Sequence, residues 1–523
     1  MINFKIICYS VIIIPVLLQQ GCSEYKTENN EFKFIAVEST ISTLHQALKN
    51  ETGNCVSITK IFLKRIKKYD QSKKLNAIIL INPAALLKAQ ALDNEFLKTR
   101  KLRSLHCVPV ILKDNFDTAD MPTQAGAIAL KGSIPPDDAF MVKKLREAGA
   151  IILAKSNMGE WAFSQYRTIS STHGETRNAY DTNRVPAGSS GGTASAIAAS
   201  FGIIGMGTDT GTSIRGPASH LALVGMRSTI GLTSRDGVIP LVLNRDVAGP
   251  LTRTVEDAAK TFNIIAGYDP ADPLTHNKQS KIKTDYTQYL KKSGLKGVRI
   301  AVLRQLYDTD VNTADFDVMD LMDQAIDDLK SLGAIIVDPF EIKNLEKLSK
   351  ATGFCSRFRF DLNHYLSTLG QNAPIKKFQD IVEKKLYDQR SEGAMEWAAS
   401  VSVSPQDQNP PCVDVQGDPR RKSLLTAVKK AMDIQGIDVI IYPSWSYPPR
   451  TIGDNQSAHG NNSPVISPHT GQPSITVPMG FTSNGLPAGL QFLARPFDDT
   501  KLFQYAYAYE QYTQHRKPPA LFP

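Results

Sequence analysis

The sequence predicts an α/β fold in which a large mixed β-sheet is covered by helices on both faces and belongs to a single large domain. A helical pattern over residues 139–148 is closed by Gly149 and is followed directly by an apolar strand at 151–154. The same succession returns where a helical pattern over 317–332 leads into a strand at 334–337. Helices that alternate with short apolar strands are typical of a sheet with helices on both faces.

The first 21 residues have the pattern of a secretory signal, with one positive charge at Lys5 and an apolar run over 6–18 that is shorter than the about 20 residues of a membrane-spanning helix. The Gly-Cys pair at 21–22 resembles the end of a bacterial lipoprotein signal, which would place a lipid on Cys22. Export without a lipid and a buried apolar N-terminal helix are the alternatives. We expect a polar tether over 22–36, a domain over 37–523, and a bacterial protein of the periplasm or cell envelope that is anchored to the membrane.

The first part of the domain predicts a helix at 56–69, a strand at 76–81 and a helix at 84–97. A buried strand at 108–112 follows and ends directly before Lys113 and Asp114. Because burial disfavours the charged form of lysine, Lys113 is a candidate base near pH 7.

A stretch rich in small residues over 186–216 sets the expected position of the catalytic groups. It reads PAGSSGGTASAIAASFGIIGMGTDTGTSIRG, and its apolar run over 194–205 predicts a helix between two specialised Gly/Ser-rich loops. Hydroxyl groups on glycine-framed turns are candidate nucleophiles.

These motifs resemble the amidase signature family of serine hydrolases. Gly188-Ser-Ser-Gly-Gly192, the later GTDTGTSIR segment at 207–215, and VPVILKDN at 108–115 follow the order and spacing of that family, and the likeness continues to GLPAGLQF at 485–492. The resemblance covers roughly residues 40 to 520. It implies the amidase signature fold as one large unit, with residues 158–172 along one wall of the substrate cleft.

The resemblance also implies a Ser–cis-Ser–Lys triad. Ser213 would be the nucleophile, Ser189 the bridging serine after a cis peptide bond, and Lys113 the neutral base. The expected oxyanion hole consists of the backbone N–H groups of four consecutive residues, Thr210, Gly211, Thr212 and Ser213. The expected supporting residues are Ser190, Asp209 and Arg215.

Two positions depart from the family pattern. Thr212 replaces the glycine that most relatives carry before the nucleophile, and Cys107 stands where the family usually has glycine. A side chain at 212 restricts the backbone and is expected to narrow the pocket.

Composition and charge argue against a nucleic-acid-binding protein. The chain has 42% hydrophobic and 21% charged residues and a net charge of +9, and its basic residues lack the clustering and aromatic interleaving of a nucleic-acid site. We therefore expect no nucleic-acid partner.

The implied mechanism needs neither metal nor cofactor. The four cysteines of the expected domain, Cys55, Cys107, Cys355 and Cys412, show no metal-ligand spacing, and disulfides and buried free thiols both remain open.

A mostly helical segment near 341–418 departs from the family pattern and is expected to be a variable insertion. Its aromatic residues, such as Phe354, Phe358, Phe360 and Tyr365, are expected to form core more often than pocket.

The expected activity is hydrolysis of a carboxamide or short peptide amide through an acyl-enzyme on Ser213. A tRNA-dependent amidotransferase subunit and a catalytically inactive lipoprotein binding module of the same fold are the alternatives. The sequence does not indicate an oligomeric state.

Overall fold

A computed structural model describes residues 34–523 of the protein. The predicted signal segment, the lipid-anchor candidate Cys22 and most of the predicted tether lie outside the described residues. None of the helices in the described part of the chain is both long enough and apolar enough to cross a bilayer.

Residues 34–523 contain thirteen strands and fifteen α-helices. The strands are β1 (Ile78–Ile81), β2 (Pro109–Lys113), β3 (Ile151–Ser156), β4 (Ile169–Ser170), β5 (Gly174–Glu175), β6 (Ile204–Asp209), β7 (Val224–Arg227), β8 (Val247–Thr252), β9 (Arg299–Val302), β10 (Ile335–Val337), β11 (Val439–Pro443), β12 (Ser474–Phe481) and β13 (Pro487–Leu493). The helices are α1 (Ile41–Lys49), α2 (Cys55–Tyr69), α3 (Ala85–Thr99), α4 (Phe140–Glu147), α5 (Gly191–Ala198), α6 (Arg215–His220), α7 (Val255–Ile265), α8 (Phe316–Ser331), α9 (Leu345–Ala351), α10 (Phe358–Thr368), α11 (Phe378–Glu383), α12 (Glu392–Ser400), α13 (Pro419–Ile434), α14 (Ser467–Thr470) and α15 (Asp499–Thr513).

Eleven of these strands form one mixed sheet in the order β1-β3-β2-β6-β8-β7-β12-β13-β11-β9-β10. β2 runs parallel to both β3 and β6, whereas the ladder from β6 through β8, β7, β12 and β13 is antiparallel. The predicted α/β class with a large mixed sheet is confirmed. The order places the ends of β2 and β6 side by side, and this is where the candidate site lies.

The predicted elements appear close to their expected bounds. α2 begins at Cys55, where Asn54 and Ser57 form a capping box, and Ile58, Phe62 and Ile66 on its apolar face are buried. α4 and β3 reproduce the helix and strand expected around Gly149, whose φ of +91° suits glycine at a helix end.

The apolar run at 194–205 differs from the prediction of a single helix. α5 ends at Ala198, Ser200 turns the chain with a φ of +56°, and β6 begins at Ile204. Adjacent Ile203 and Ile204 are β-branched and continue into a strand that pairs with β2 and β8. Periodicity could not separate a buried helix from a buried strand in so apolar a run.

The segment 341–418 supplies a second hydrophobic core. Phe358, Leu362 and Tyr365 of α10 pack with residues of α11 and α12 against Met158 and Trp161, apart from the main core around the sheet. The expectation that its aromatic residues form core therefore holds for Phe358 and Tyr365, whereas Phe360 is only half-buried and Phe354 is 37% exposed. That this segment varies among relatives stays a prediction.

All four cysteines of the described chain are paired. Cys55 bonds to Cys107 and Cys355 bonds to Cys412, with Cα atoms 5.3 and 5.7 Å apart. Cys107 has a φ of +64°, a conformation that favours glycine. Glycine is the residue that the family pattern has at this position. The open choice between thiols and disulfides is thus resolved in favour of disulfides.

Candidate active site

Lys113 is the last residue of β2 and is completely buried. Its Nζ lies 2.8 Å from Ser189 Oγ and 2.7 Å from Thr208 Oγ1, and Asn115 Nδ2 donates to the same threonine oxygen at 3.1 Å. Thr208 can contact the Lys113 amine because β6 pairs with β2. The neighbouring strand ends therefore hold the amine against two hydroxyl groups, and no carboxylate of residues 34–523 forms an ion pair with it.

The surroundings of Lys113 favour its neutral form. Burial lowers the pKa of Lys113 to about 7, against the pull of the Asp209 and Asp246 carboxylates, which favour the charged form. Lys113 can therefore accept and return a proton near neutral pH.

Ser189 lies between Gly188 and the start of α5, and its preceding peptide bond, Gly188–Ser189, is cis. Only glycine fits at 188, because a Cβ there would lie 2.4 Å from the carbonyl oxygen of Arg167. Gly192 is equally constrained, since its Cβ would lie 2.1 Å from the carbonyl oxygen of Asn157. The small residues thus allow the chain at 157–167 to pack directly on the serine turn.

Ser213 lies on the loop between β6 and α6 and is 4% exposed. Among residues 34–523, its hydroxyl has no hydrogen bond, so none joins it to Lys113 or Ser189. In the same part of the chain, no protein acceptor is found for the backbone N–H groups of Thr210, Gly211, Thr212 and Ser213. Because buried N–H groups are nearly always paired, this loop offers donors to a group that is not protein.

Asp209 holds this loop through two buried arginines. Its carboxylate lies 3.0 Å from Arg215 Nε and 3.1 Å from Arg227 Nη1, and it also accepts the N–H of Ile214. Burial alone would raise the pKa of Asp209, but Arg215 and Arg227 outweigh it and lower the pKa to about 2. The carboxylate is therefore ionised at neutral pH.

The same guanidinium groups also act on the loop's peptide bonds. Arg215 Nη2 donates to the carbonyl oxygen of Gly211 at 2.7 Å, and Arg227 donates to that of Asp209. The two carbonyls belong to the peptide groups that carry the N–H groups of Thr212 and Thr210. A charged donor on the carbonyl side polarises each peptide and strengthens its N–H as a donor.

We expect Asp209→Asn to lower the free energy of unfolding by about 3–5 kcal/mol, because it leaves two buried guanidinium groups without their shared carboxylate. Urea unfolding measures the change. Glu346→Gln is the matched control, since the Glu346–Lys350 pair is more than two-thirds exposed and its loss should leave the free energy of unfolding nearly unchanged. Equal losses in the two variants would contradict this role of Asp209.

Two other sequence-predicted residues have defined places. Ser190 is fully buried and its hydroxyl donates to the carbonyl oxygen of Thr208, which ties the serine turn to β6. The Thr212 hydroxyl donates to Asn461 Oδ1 at 3.2 Å, and Asn461 in turn donates to Gln165 Oε1 at 2.9 Å. Thr212 thus links the loop to Asn461 and, through Asn461, to Gln165.

The sequence analysis missed Thr208 and Arg227, and it placed Phe354 among the aromatic residues of the insertion without assigning it to the site. Phe354 lies against Gly211, whose Cβ would be 3.3 Å from its ring, and it stacks on the Arg245 guanidinium at 4.6 Å. Thr208 lies in β6 and Arg227 is the last residue of β7, so their places in the site depend on a strand order that the sequence does not show. No sequence signal places Phe354, because it comes from the segment whose pattern departs from the family.

A cavity of about 1410 Å³ opens beside the site. Six residues of the predicted wall at 158–172 line it: Glu160, Phe163, Ser164, Tyr166, Arg167 and Ile169. It reaches the site through Ser164 and Arg167, whose carbonyls crowd Gly188, and through Asn461, which bonds to Thr212. Ser213 itself does not line the cavity.

One group of possible metal ligands occurs within residues 34–523. Cys55, His106 and Cys107 place one ligand atom each within 4.8 Å of the others, but the disulfide between the two cysteines uses both sulfur atoms. None of the candidate site residues belongs to this group.

Known proteins resemble this chain along most of its length. A family model described as Amidase matches residues 57–503. A probable amidase of Arabidopsis thaliana is 33% identical over 93% of this chain and 92% of its own length. A glutamyl-tRNA(Gln) amidotransferase subunit of Microcystis aeruginosa is 32% identical over 92% of this chain and 99% of its own. The crystal structure of native peptide amidase from Stenotrophomonas maltophilia is 33% identical, covers 93% of this chain and 99% of its own, and superimposes with a TM-score of 0.83.

A match over more than half of the chain, together with relatives of this identity and coverage, establishes the family. The chain belongs to the amidase family, with the fold of the amidase signature enzymes that its motifs resemble.

Proposed function

We propose that this amidase hydrolyses a carboxamide or a short peptide amide to a carboxylate plus ammonia or an amine through an acyl-enzyme on Ser213. One observation carries the assignment of residues: the buried amine of Lys113 contacts the Ser189 hydroxyl. The pKa of this amine is about 7, so it can accept a proton from Ser213 through Ser189. Amide hydrolysis without histidine needs a base, a route for the proton and donors for the oxyanion. The neutral amine, the bridging hydroxyl and the loop at 210–213 supply these three in turn.

In the proposed reaction, Ser213 Oγ forms a bond to the carbonyl carbon of the amide. Its proton passes to the Ser189 hydroxyl, which gives its own proton to Lys113. The oxyanion of the tetrahedral intermediate accepts hydrogen bonds from the unpaired N–H groups of residues 210–213, and each such donor contributes about 3–4 kcal/mol when removed singly in comparable enzymes. The C–N bond then breaks as Lys113 returns the proton to the departing nitrogen through Ser189. Water hydrolyses the acyl-enzyme by the same relay.

The proposed substrate class is a short peptide amide or another sizeable carboxamide. The cavity of about 1410 Å³ exceeds the roughly 300–1,000 Å³ of ordinary small-molecule pockets. The similarity to a peptide amidase supports the same class.

A panel of substrates tests the proposal. Primary amides, aryl amides and C-terminally amidated peptides are incubated with the wild type, and released ammonia or amine is measured. Turnover of amidated peptides above small primary amides supports the class proposed. A folded protein that turns over none of them and leaves a fluorophosphonate probe unreacted would instead be a binding module.

The similarity to amidotransferase subunits favours a second candidate function, in which ammonia is released from glutamine for transfer. Free glutamine in the same panel separates the two. Its hydrolysis in preference to peptide amides would favour the amidotransferase reaction.

We further propose that the protein is exported and carries a lipid on Cys22. The leader pattern over 1–21 supports this. Two disulfides are consistent with an oxidising compartment, because cytosolic reductants keep most thiols reduced. Mass spectrometry of the mature N-terminus tests it, and a mature chain without acyl groups on Cys22 would remove the anchor.

A further inference from the structure

The net charge of the chain is concentrated in one part of the fold. Residues 41–105 contain α1, α2, β1 and α3 and are called the N-terminal layer below. They hold 13 Lys and Arg but 4 Asp and Glu. The whole chain has 60 and 51, so the residues outside the layer hold 47 of each sign. The net charge of +9 therefore belongs to the N-terminal layer alone.

α2 presents a basic face opposite its buried face. Ile58, Phe62 and Ile66 point into the core, whereas Lys60, Lys64 and Lys67 follow one another at helical spacing on the exposed side. Lys68 adjoins this stripe, and α2 contains no acidic residue. The face is therefore uniformly positive.

The lysines of the layer are exposed and unpaired. None of the ten forms an ion pair within residues 34–523, although both Arg100 and Arg103 do. These lysines are Lys49, Lys60, Lys64, Lys67, Lys68, Lys73, Lys74, Lys88, Lys98 and Lys101. Their charge is thus available to a partner rather than neutralised within the fold.

Exposed apolar residues accompany this charge. On α3, Leu87 is 72% and Leu97 is 62% exposed, and Lys98, the residue after Leu97, is exposed as well. Large aliphatic side chains among lysines are typical of surfaces that lie in the headgroup region of a bilayer. A site for single-stranded nucleic acid would instead present aromatic residues for base stacking.

The chain enters the fold at the same layer. The ring of Phe34, the first described residue, packs on that of Phe62 in α2 with centroids 6.2 Å apart. Cys22 precedes Phe34 by 12 residues. Even fully extended, so short a connection spans only about 40 Å. A lipid on Cys22 would hold the N-terminal layer close to the membrane.

We propose that the N-terminal layer docks on an anionic phospholipid surface through the lysine face of α2 and the exposed leucines of α3. Each lysine near such a surface strengthens binding by roughly fivefold at low salt, and the effect decreases with ionic strength. Docking is separate from catalysis, because none of these residues belongs to the candidate active site.

Vesicle binding of the full chain tests this proposal. Partition coefficients are measured for phosphatidylcholine vesicles and for vesicles with about one-third phosphatidylglycerol, and their ratio is taken so that hydrophobic contacts of the N-terminus cancel. For the wild type we expect strong preference for anionic vesicles that disappears at high salt. The Lys60→Gln/Lys64→Gln/Lys67→Gln variant should lower the ratio by about a hundredfold at low salt.

The matched control is Lys422→Gln/Lys429→Gln/Lys430→Gln on α13, which removes the same charge from exposed lysines outside the layer. It should keep at least a tenth of the wild-type ratio, and both variants should hydrolyse a soluble amide as the wild type does. An equal fall in both triple variants, or an unchanged ratio in the α2 variant, would overturn the proposal. So would a wild type that ignores phosphatidylglycerol but binds an oligonucleotide. A wild type that prefers anionic vesicles but hydrolyses no amide would contradict the proposed function and leave the docking proposal supported.

Discussion

Ser213→Ala is expected to lower kcat for amide hydrolysis by at least about 10⁴-fold while the protein stays folded. The substitution removes the oxygen that forms the acyl-enzyme, and in serine hydrolases only the oxyanion donors and substrate binding then remain to accelerate the reaction. Because the Ser213 hydroxyl has no hydrogen bond within residues 34–523, its loss leaves no protein partner unpaired. Ammonia release and urea unfolding measure the two effects.

Ser219→Ala is the matched control for this substitution. Ser219 lies six residues further along, on α6, and its buried hydroxyl also lacks a partner in the described chain. This variant should retain wild-type turnover and react with a fluorophosphonate at Ser213, whereas Ser213→Ala should not react. Retained turnover in Ser213→Ala would move the nucleophile elsewhere.

Much of the site's framework was predictable because it is encoded locally. The strand before Lys113 is marked by four consecutive apolar residues, and it forms β2 within one residue of the expected bounds. The glycines at 188 and 192 mark a turn where backbone from 157–167 approaches too closely for any side chain. Such requirements act on the residue type itself and are therefore visible in the sequence.

Contacts between distant segments were not predictable. Thr208 receives the Lys113 amine only because β6 pairs with β2, and strand order is not encoded in the local pattern. Arg227 reaches Asp209 from β7, which is not adjacent to β6 in the sheet. The disulfide partners were equally hidden, since spacing alone allows any pairing.

The division of the run at 194–205 into α5 and β6 was hidden for a different reason. All of its residues are buried, so neither a helical nor an alternating pattern of polar residues marks its faces. The excess of positive charge over 41–105 could be counted in the sequence, but only the structure shows that every lysine of the layer is exposed and forms no ion pair within residues 34–523.

Lys113→Ala is expected to lower kcat/KM by about 10²–10⁴-fold, the usual contribution of a general acid–base group. The pH dependence identifies the group. With a pKa of about 7, Lys113 is protonated and unable to accept a proton at lower pH, and it becomes neutral as the pH rises. The wild-type kcat/KM should therefore rise with pH through about 7 and level off above it. The remaining activity of Lys113→Ala should lack this rise.

Lys113→Arg separates the loss of a base from the loss of a positive charge. Arginine keeps its proton throughout this range, so the variant should stay as slow as Lys113→Ala at every pH. Lys155→Met is the control for a buried lysine outside the relay, because Lys155 is also fully buried but contacts Phe116 and Thr123 instead. It should lose stability yet keep the rise near pH 7. If the rise in kcat/KM persists in Lys113→Ala, another group accepts the proton of Ser213. If the rise disappears in Lys155→Met, the group that titrates near pH 7 is Lys155 and not Lys113.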